Sequence, residues 1–149
     1  MRALVPILCL APMFLPAEQP VTFTLLLRTS TTWDGDPIRY DPSPCPEVQA
    51  VLMEIAPGGT NPWHSHPVNA FVYILEGDFR VELENHTSRD FHKGDAYAQV
   101  VDAWHQGSNI GKGPVKALIF FTGEVGTPIA MPMLSPCPVT GEFPAPPSR

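Results

Sequence analysis

The sequence predicts an all-β fold, either a barrel or a sandwich. No segment of the 149 residues has a convincing helical period. Short runs rich in β-branched and aromatic residues recur instead, and Gly, Pro, Asn and Asp residues separate them. The chain is 44% apolar and only 16% charged, which is enough to bury a core in one domain. Many short strands with regular turns are typical of a barrel or a sandwich.

The predicted strands are apolar runs bounded by turn residues. The run 79–84 alternates between apolar and charged residues, so one of its faces should meet water. The run 115–122 is nearly all apolar, as expected of a strand that is covered on both faces. The predicted strands are 21–28, a short 38–40, 48–56, 70–75, 79–84, 96–101 and 115–122.

The two ends of the chain differ in composition from its middle. Residues 1–17 hold one Arg, an apolar run and then Ala17, which is typical of a secretory signal peptide; the alternative is a buried N-terminal strand. The run is too short and too rich in proline to span a membrane, so no membrane association is expected after signal removal. We therefore expect a periplasmic or secreted protein. The expected segments are a signal peptide at 1–17, an N-terminal strand and proline-rich loop at 18–46, a barrel core at 47–123 and a proline-rich tail at 124–149.

The charge of the chain argues against one class of partner. The formal net charge is -6, and the basic residues are scattered rather than clustered. Binding to nucleic acid needs a concentration of positive charge, so no nucleic-acid partner is expected.

A pair of histidines two residues apart is the strongest chemical signal. Residues i and i+2 of a strand point to the same face, so His64 and His66 should share one space. His105 follows after strands and turns that can bring it beside this pair. Three neutral imidazoles can hold a divalent metal; the alternative is that they are packing or surface histidines. His86 and His92 lie in polar stretches and are expected to be solvated.

The spacing around these histidines resembles that of the cupin superfamily. The first cupin motif is matched by Gly58, His64, His66 and Gly77, and the second by Gly94, His105 and Asn109. The resemblance covers about residues 58–109 and implies a cupin-type jelly-roll β-barrel, with His64, His66 and His105 as metal ligands.

Three positions depart from the cupin pattern. The acidic ligand of the first motif is missing, since Ala70 and Phe71 stand where it would be, and neither can bind a metal. In the second motif Val100 replaces a proline and Asp102 a glycine. These last two changes should alter the turn more than the chemistry.

The resemblance implies one divalent transition metal, namely Fe, Zn, Mn, Ni or Cu. All-imidazole sites occur in some cupin dioxygenases, including thiol dioxygenases, so an iron-dependent dioxygenase-like enzyme acting on a small molecule is the first hypothesis. The second is a non-catalytic cupin that binds a small molecule or a metal as a sensor or carrier, and the third is a metal-free partner-binding domain. The sequence assigns no catalytic residue.

Several neighbours of the histidines are candidates for the rest of the site. Gln99 and Tyr97 share one face of a predicted strand, so either could be a fourth ligand or contact the substrate if that face points inward. Aromatic residues could wall an apolar pocket around the metal or simply belong to the core. These residues are Trp63, Phe71, Tyr73 and Trp104.

The run 115–122 also predicts a homodimer. It has apolar residues on both faces, so the face that does not fill the barrel needs a cover, from the N-terminal segment or from a partner.

Two cysteines would remain after signal removal. Cys45 and Cys137 each lie between prolines, outside the predicted barrel strands. In an oxidising compartment such a pair tends to be bridged, and we expect a disulfide that ties the entry loop to the tail. The alternative is two free thiols.

Overall fold

The computed structural model describes residues 21–40 and 42–133. The described residues form nine strands and no helix. The strands are β1 (Pro46–Ile55), β2 (His64–Ser65), β3 (Asn69–Glu76), β4 (Asp78–Leu83), β5 (Ser88–His92), β6 (Ala96–Ala98), β7 (His105–Asn109), β8 (Val115–Glu124) and β9 (Met131–Pro132).

The strands form two antiparallel sheets. The first has the order β1-β8-β3-β6, and the second has the order β5-β4-β7-β2-β9. Strands β1 and β8 pair along their full length, from Pro46 opposite Glu124 to Ile55 opposite Val115. Apart from the consecutive strands β4 and β5, neighbours in each sheet are distant in sequence, which is the arrangement of a jelly roll and confirms the predicted all-β jelly-roll fold.

The core lies between the two sheets. Ile74 and Val115 of the first sheet are fully buried, as is Val81 of the second. Phe91 of β5 and Tyr97 of β6 stack with their ring centroids 3.7 Å apart. Because alternate residues of a strand point to opposite faces, each sheet can contribute only every second residue to this core.

Five of the predicted strands correspond to observed ones, with shifted ends. The run 96–101 is a strand only at Ala96–Ala98, where it pairs with β3, although the amide of Gln99 still donates to the carbonyl of Ala70. At 38–40 no strand forms; Pro37 makes an isolated bridge with Thr31 instead.

The predicted first strand is absent. Residues 21–28, which we call the N-terminal arm, have β-forming side chains but form no strand. Phe23 is 94% exposed, and Val21 and Leu25 are also mostly exposed. A β-forming composition is not sufficient, because a strand needs a neighbouring backbone with which to pair.

The chain beyond β8 does more than form a tail. Met131 pairs with Ser65 and Pro132 with His64, so β9 lies at the edge of the second sheet beside β2. Residues 1–17, for which a signal peptide is predicted, and the end of the tail lie outside the described residues.

Four backbone positions of the cupin-like motifs have positive φ, namely Gly58, Gly77, Gly94 and Asp102. Gly77 has a φ of 86°, and a Cβ there would lie 2.4 Å from the carbonyl oxygen of Pro114, so only glycine fits. Asp102, which replaces a glycine of the second motif, has a φ of 56°. Aspartate tolerates this conformation better than most residues, so the turn before His105 is kept.

The first sheet has an outer apolar face. Side chains that share a register on β1, β8 and β3 point away from the core, and among them Val48, Leu52 and Phe120 are 65%, 57% and 42% exposed. The residues of this face are Val48, Leu52, Phe71, Tyr73, Leu118 and Phe120.

Candidate metal centre

Strand pairing brings the three predicted histidines together. His64 of β2 lies directly opposite His105 of β7, and His66 follows two residues later. The ring centroids are 4.4 Å apart for His64 and His105, 4.8 Å for His64 and His66, and 5.0 Å for His66 and His105. One candidate ligand atom from each residue lies within 4.8 Å of the other two.

Backbone carbonyls fix the orientation of all three rings. The Nδ1 of His64 donates to Pro62 at 2.7 Å, that of His66 to Ile129 at 2.5 Å, and that of His105 to Ala103 at 2.9 Å. A carbonyl oxygen can only accept, so in the neutral rings the proton is on Nδ1 and the lone pair is on Nε2.

The Nε2 nitrogens, which the carbonyls leave free, are the atoms available to bind a ligand. The Nε2 of His105 is buried and has no hydrogen-bond partner. A buried acceptor without a partner is costly, and a metal ion would satisfy it. Three imidazoles at this spacing, each with its Nδ1 held by a carbonyl, fit a divalent metal.

The electrostatics of the site favour the neutral rings that a metal needs. Burial lowers the pKa of His66 to about 4, and His64 nearby adds to this effect. Burial likewise lowers the pKa of His105 to about 3, with His64 and His66 contributing. In both residues the hydrogen bond to a carbonyl opposes the shift without cancelling it.

The position of the missing acidic ligand is apolar. Ala70 is 1% exposed and packs with Val68 and Phe121. The ring of Phe121 lies 5.1 Å from that of His66, and Ile129 packs against the same cluster. Within the described ranges no acidic side chain joins the histidine group.

Gln99 and Tyr97 are both buried, and their role as a fourth ligand or a substrate contact stays a prediction. The Oε1 of Gln99 accepts from Trp33 Nε1 at 2.7 Å and from the amide of Val100 at 3.0 Å, which leaves only its amide nitrogen free. Tyr97 is 4% exposed within the core, where burial raises the pKa of its phenol above the usual range.

Two of the predicted pocket-wall residues lie elsewhere. Phe71 and Tyr73 point to the outer apolar face, because Ala70, Val72 and Ile74 occupy the inner face of β3. Trp63 and Trp104 are half-buried next to His64 and His105 in the chain, and their role as a pocket wall stays a prediction.

Sequence reasoning missed Phe121 and Ile129 as neighbours of the site. Phe121 could have been found from the alternation of 115–122. No sequence pattern indicates Ile129, because its hydrogen bond with the site joins its backbone carbonyl to His66, which lies 63 residues earlier in the chain. The side chains of His86 and His92 are 87% and 62% exposed, as expected.

Comparison with known proteins agrees with this fold. Residues 51–121 match the family model described as a cupin domain. The chain is 31% identical over 83 residues to germin-like protein subfamily 2 member 2 of Arabidopsis thaliana, covering 52% of this chain and 38% of the relative. Fold and family match together show that residues 51–121 are similar to a cupin domain.

Two solved structures have the same fold. An oxalate decarboxylase of Lactobacillus farciminis, solved as a formate complex, superposes with a TM-score of 0.51 at 26% identity, covering 58% of this chain and 26% of that one. A DMSP lyase structure superposes with a TM-score of 0.50 at 17% identity, covering 58% and 44%, and shows the fold alone. The chain spans less than half the length of each of these relatives. None of the described residues forms a helix able to cross a membrane.

The lowered pKa values of His66 and His105 predict that the metal-free protein loses stability in acid. Below the ordinary pKa of 6.5 the unfolded chain binds protons that these buried rings do not bind until about pH 4 and pH 3. The free energy of unfolding should therefore fall by about 2–4 kcal/mol between pH 7 and pH 5. Urea denaturation in the presence of a chelator measures this loss.

Substitution of a site histidine tests whether the loss of stability in acid comes from the site. His105→Gln should reduce the difference between pH 7 and pH 5, whereas His86→Gln, a change at an exposed ring, should leave it unchanged. His92 acts in the opposite direction, since its hydrogen bond with Asp78 raises its pKa, but both side chains are largely exposed and the effect is screened. Equal stability of the parent protein at the two pH values would contradict the prediction.

Proposed function

We propose that this protein is a metal-binding cupin-domain protein whose centre, held by His64, His66 and His105, binds a small molecule. The observation that supports the proposal is the hydrogen-bonding pattern that the three rings share. Each Nδ1 donates to a backbone carbonyl, so three Nε2 lone pairs are left free, and that of His105 is buried without a partner. A ligand set with this preorganisation binds a metal without having to reorganise.

The three imidazole ligands restrict which metals the site can bind. Imidazole nitrogens suit Fe, Zn, Mn, Ni and Cu, whereas Mg and Ca prefer oxygen ligands. With three protein ligands a metal keeps open positions for other molecules. We propose one such divalent transition metal per chain.

For the chemistry we propose an iron-dependent dioxygenase-like reaction on a small molecule. When bound, an iron ion with open positions supplies a place where substrate and O2 meet. The protein would hold the metal with three imidazoles and exclude water with the side chains of Val68, Phe121 and Ile129.

A non-catalytic sensor or carrier is the second candidate, and one observation favours it. The cluster beside His66 is apolar, and none of its side chains can accept or donate a proton. Oxygen uptake by the iron-loaded protein, tested over a panel of small thiols and carboxylates, separates the two. Uptake with any of them favours the enzyme, and tight metal retention without uptake favours the carrier.

His64→Ala should abolish stoichiometric metal binding. The parent protein, purified without a histidine tag, should hold about one metal ion per chain by elemental analysis. Loss of a ligand should weaken binding by more than the roughly 10- to 100-fold that removal of an outer hydrogen-bond partner costs. The fold should survive, because β2 is short and His64 is not part of the core.

The matched control is His86→Ala, since that ring is exposed and does not belong to the histidine group. It should keep the metal, and both variants should keep the circular dichroism spectrum of the parent protein. Stoichiometric metal in the His64→Ala protein would refute the proposed site.

We also propose that the protein forms a homodimer through the outer apolar face. This face has three large apolar side chains that are 42–65% exposed, and the described part of the N-terminal arm does not cover them, since Phe23 and Leu25 are themselves exposed. The chain that follows the arm meets the first sheet at β6, where the backbone amide of Trp33 donates to the carbonyl of Ala98. The free edge of β1 is at the opposite side of this sheet. A second copy can cover both the arm and the face by one two-fold contact.

The dimer prediction is tested by sedimentation at tens of micromolar protein. The parent protein should sediment as a dimer and Phe120→Asp as a monomer, because the charge would be buried in the interface. Ile110→Asp is the matched control, since Ile110 is also 42% exposed but lies on the loop after β7. A monomeric parent protein refutes the proposal.

We further propose export to the periplasm or the exterior, with removal of residues 1–17 and a disulfide between Cys45 and Cys137. Cys45 is exposed; Cys137 lies outside the described residues. The bridge would close a loop of about 90 residues and stabilise the protein by up to about 4–5 kcal/mol on the chain-entropy account.

Mass spectrometry of the intact exported protein tests both parts of this proposal. The chain should begin at Glu18, and its mass should rise by that of two hydrogen atoms on reduction. Cys45→Ser should lose this change. Two alkylatable thiols in freshly isolated protein would exclude the bridge.

A further inference from the structure

A divalent metal bound by the histidine group would find no carboxylate within that group, among the described residues, to balance its charge. His66 and His105 are buried neutral rings, and within the described part of the chain no carboxylate joins the group. A divalent metal held there would keep its full double positive charge. Glu47 and Glu124 share a shallow surface depression with Phe121 and Ile129 but do not belong to the histidine group.

Such a charge beside apolar side chains is costly unless an anion accompanies it. Val68, Ala70 and Phe121 pack together, and the Phe121 ring lies 5.1 Å from that of His66. Moving an unpaired charge out of water into surroundings of this kind costs several kcal/mol. The strongest compensation is a negative charge bound directly to the metal.

At Ala70, the inner face of β3 offers no negative charge that could compensate that of a metal. Ala70 is 1% exposed, lies opposite Phe121 in the strand register, and presents only a methyl group to the interior. Its carbonyl accepts from the backbone amide of Gln99, and the Oε1 of that residue is already occupied by two donors, so the Gln99 side chain offers an N–H and no negative charge.

From these contacts we infer that the centre takes a small anionic ligand, a carboxylate or a similar oxyanion, and that Ala70 is the residue that leaves the position open for it. The inference rests on the proposed metal site and specifies the class of molecule that the site binds. A neutral molecule of the same shape lacks the charge that the site needs and should bind much more weakly. A carboxylate supplied by the protein at position 70 should compete with the external anion.

Acetate and acetamide are suitable probes because they share shape and differ in charge. The full-length protein is loaded with Co²⁺, and its visible absorption is followed as each probe is added. Acetate should change the spectrum saturably, and acetamide should bind at least roughly tenfold more weakly, as expected when a charge-assisted contact is lost.

Substitutions at Ala70 test whether a carboxylate at this position competes with the external anion. Ala70→Glu should weaken acetate binding by at least roughly tenfold relative to Ala70→Gln, which has the same shape without the charge. The comparison of the two probes in the parent protein needs no substitution, so the inference stays testable even if one variant does not fold.

Cobalt content, measured by elemental analysis in every sample, separates this inference from the proposed metal site. If the parent protein holds cobalt but binds acetate and acetamide alike, the inference is wrong and the metal site stands. Equal weakening by Ala70→Glu and Ala70→Gln also overturns it, because charge would then not matter. If the parent protein binds no cobalt, both proposals fail.

Discussion

The pairing of β2 with β7 is the contact on which the candidate site depends. It consists of a single register pair, His64 opposite His105, between a two-residue strand and a five-residue strand. Such a short ladder would not be stable alone; it is held because β7 also pairs with β4 over five residues and β9 lies on the other side of β2. The second sheet thus positions two ligands that are 41 residues apart in the chain.

A second constraint comes from the backbone rather than from side chains. His64 and His105 each donate to a carbonyl two residues earlier, so local chain geometry orients these rings. His66 instead donates to Ile129, from the segment that follows β8. The segment between β8 and β9 is therefore part of the site, because without it the His66 ring would lose the partner that holds its proton on Nδ1.

The two faces of the first sheet have separate functions. Its inner face provides core residues such as Ile74 and, next to the histidines, the apolar surface of Ala70 and Phe121. Its outer face carries Phe71 and Phe120, which lie opposite each other in register and are available for contact with another molecule. A single substitution on β3 or β8 therefore affects either the site or the surface but not both, since neighbouring residues point in opposite directions.

The sequence alone determined the class of fold and the three histidines. Period-2 alternation, turn residues and motif spacing are local signals, and they sufficed for five strands and for the convergence of His64, His66 and His105. The strands β2, β5, β7 and β9 were missed, because they are short or polar and exist only through their partners. The arm 21–28 was misassigned for the converse reason, as its composition favours a strand but no backbone pairs with it. Tertiary structure alone decided that Phe71 points outward, that Gln99 has its oxygen already occupied, and that Ile129 orients His66. Each of these depends on register or on contacts between distant segments, which no local pattern of residues encodes.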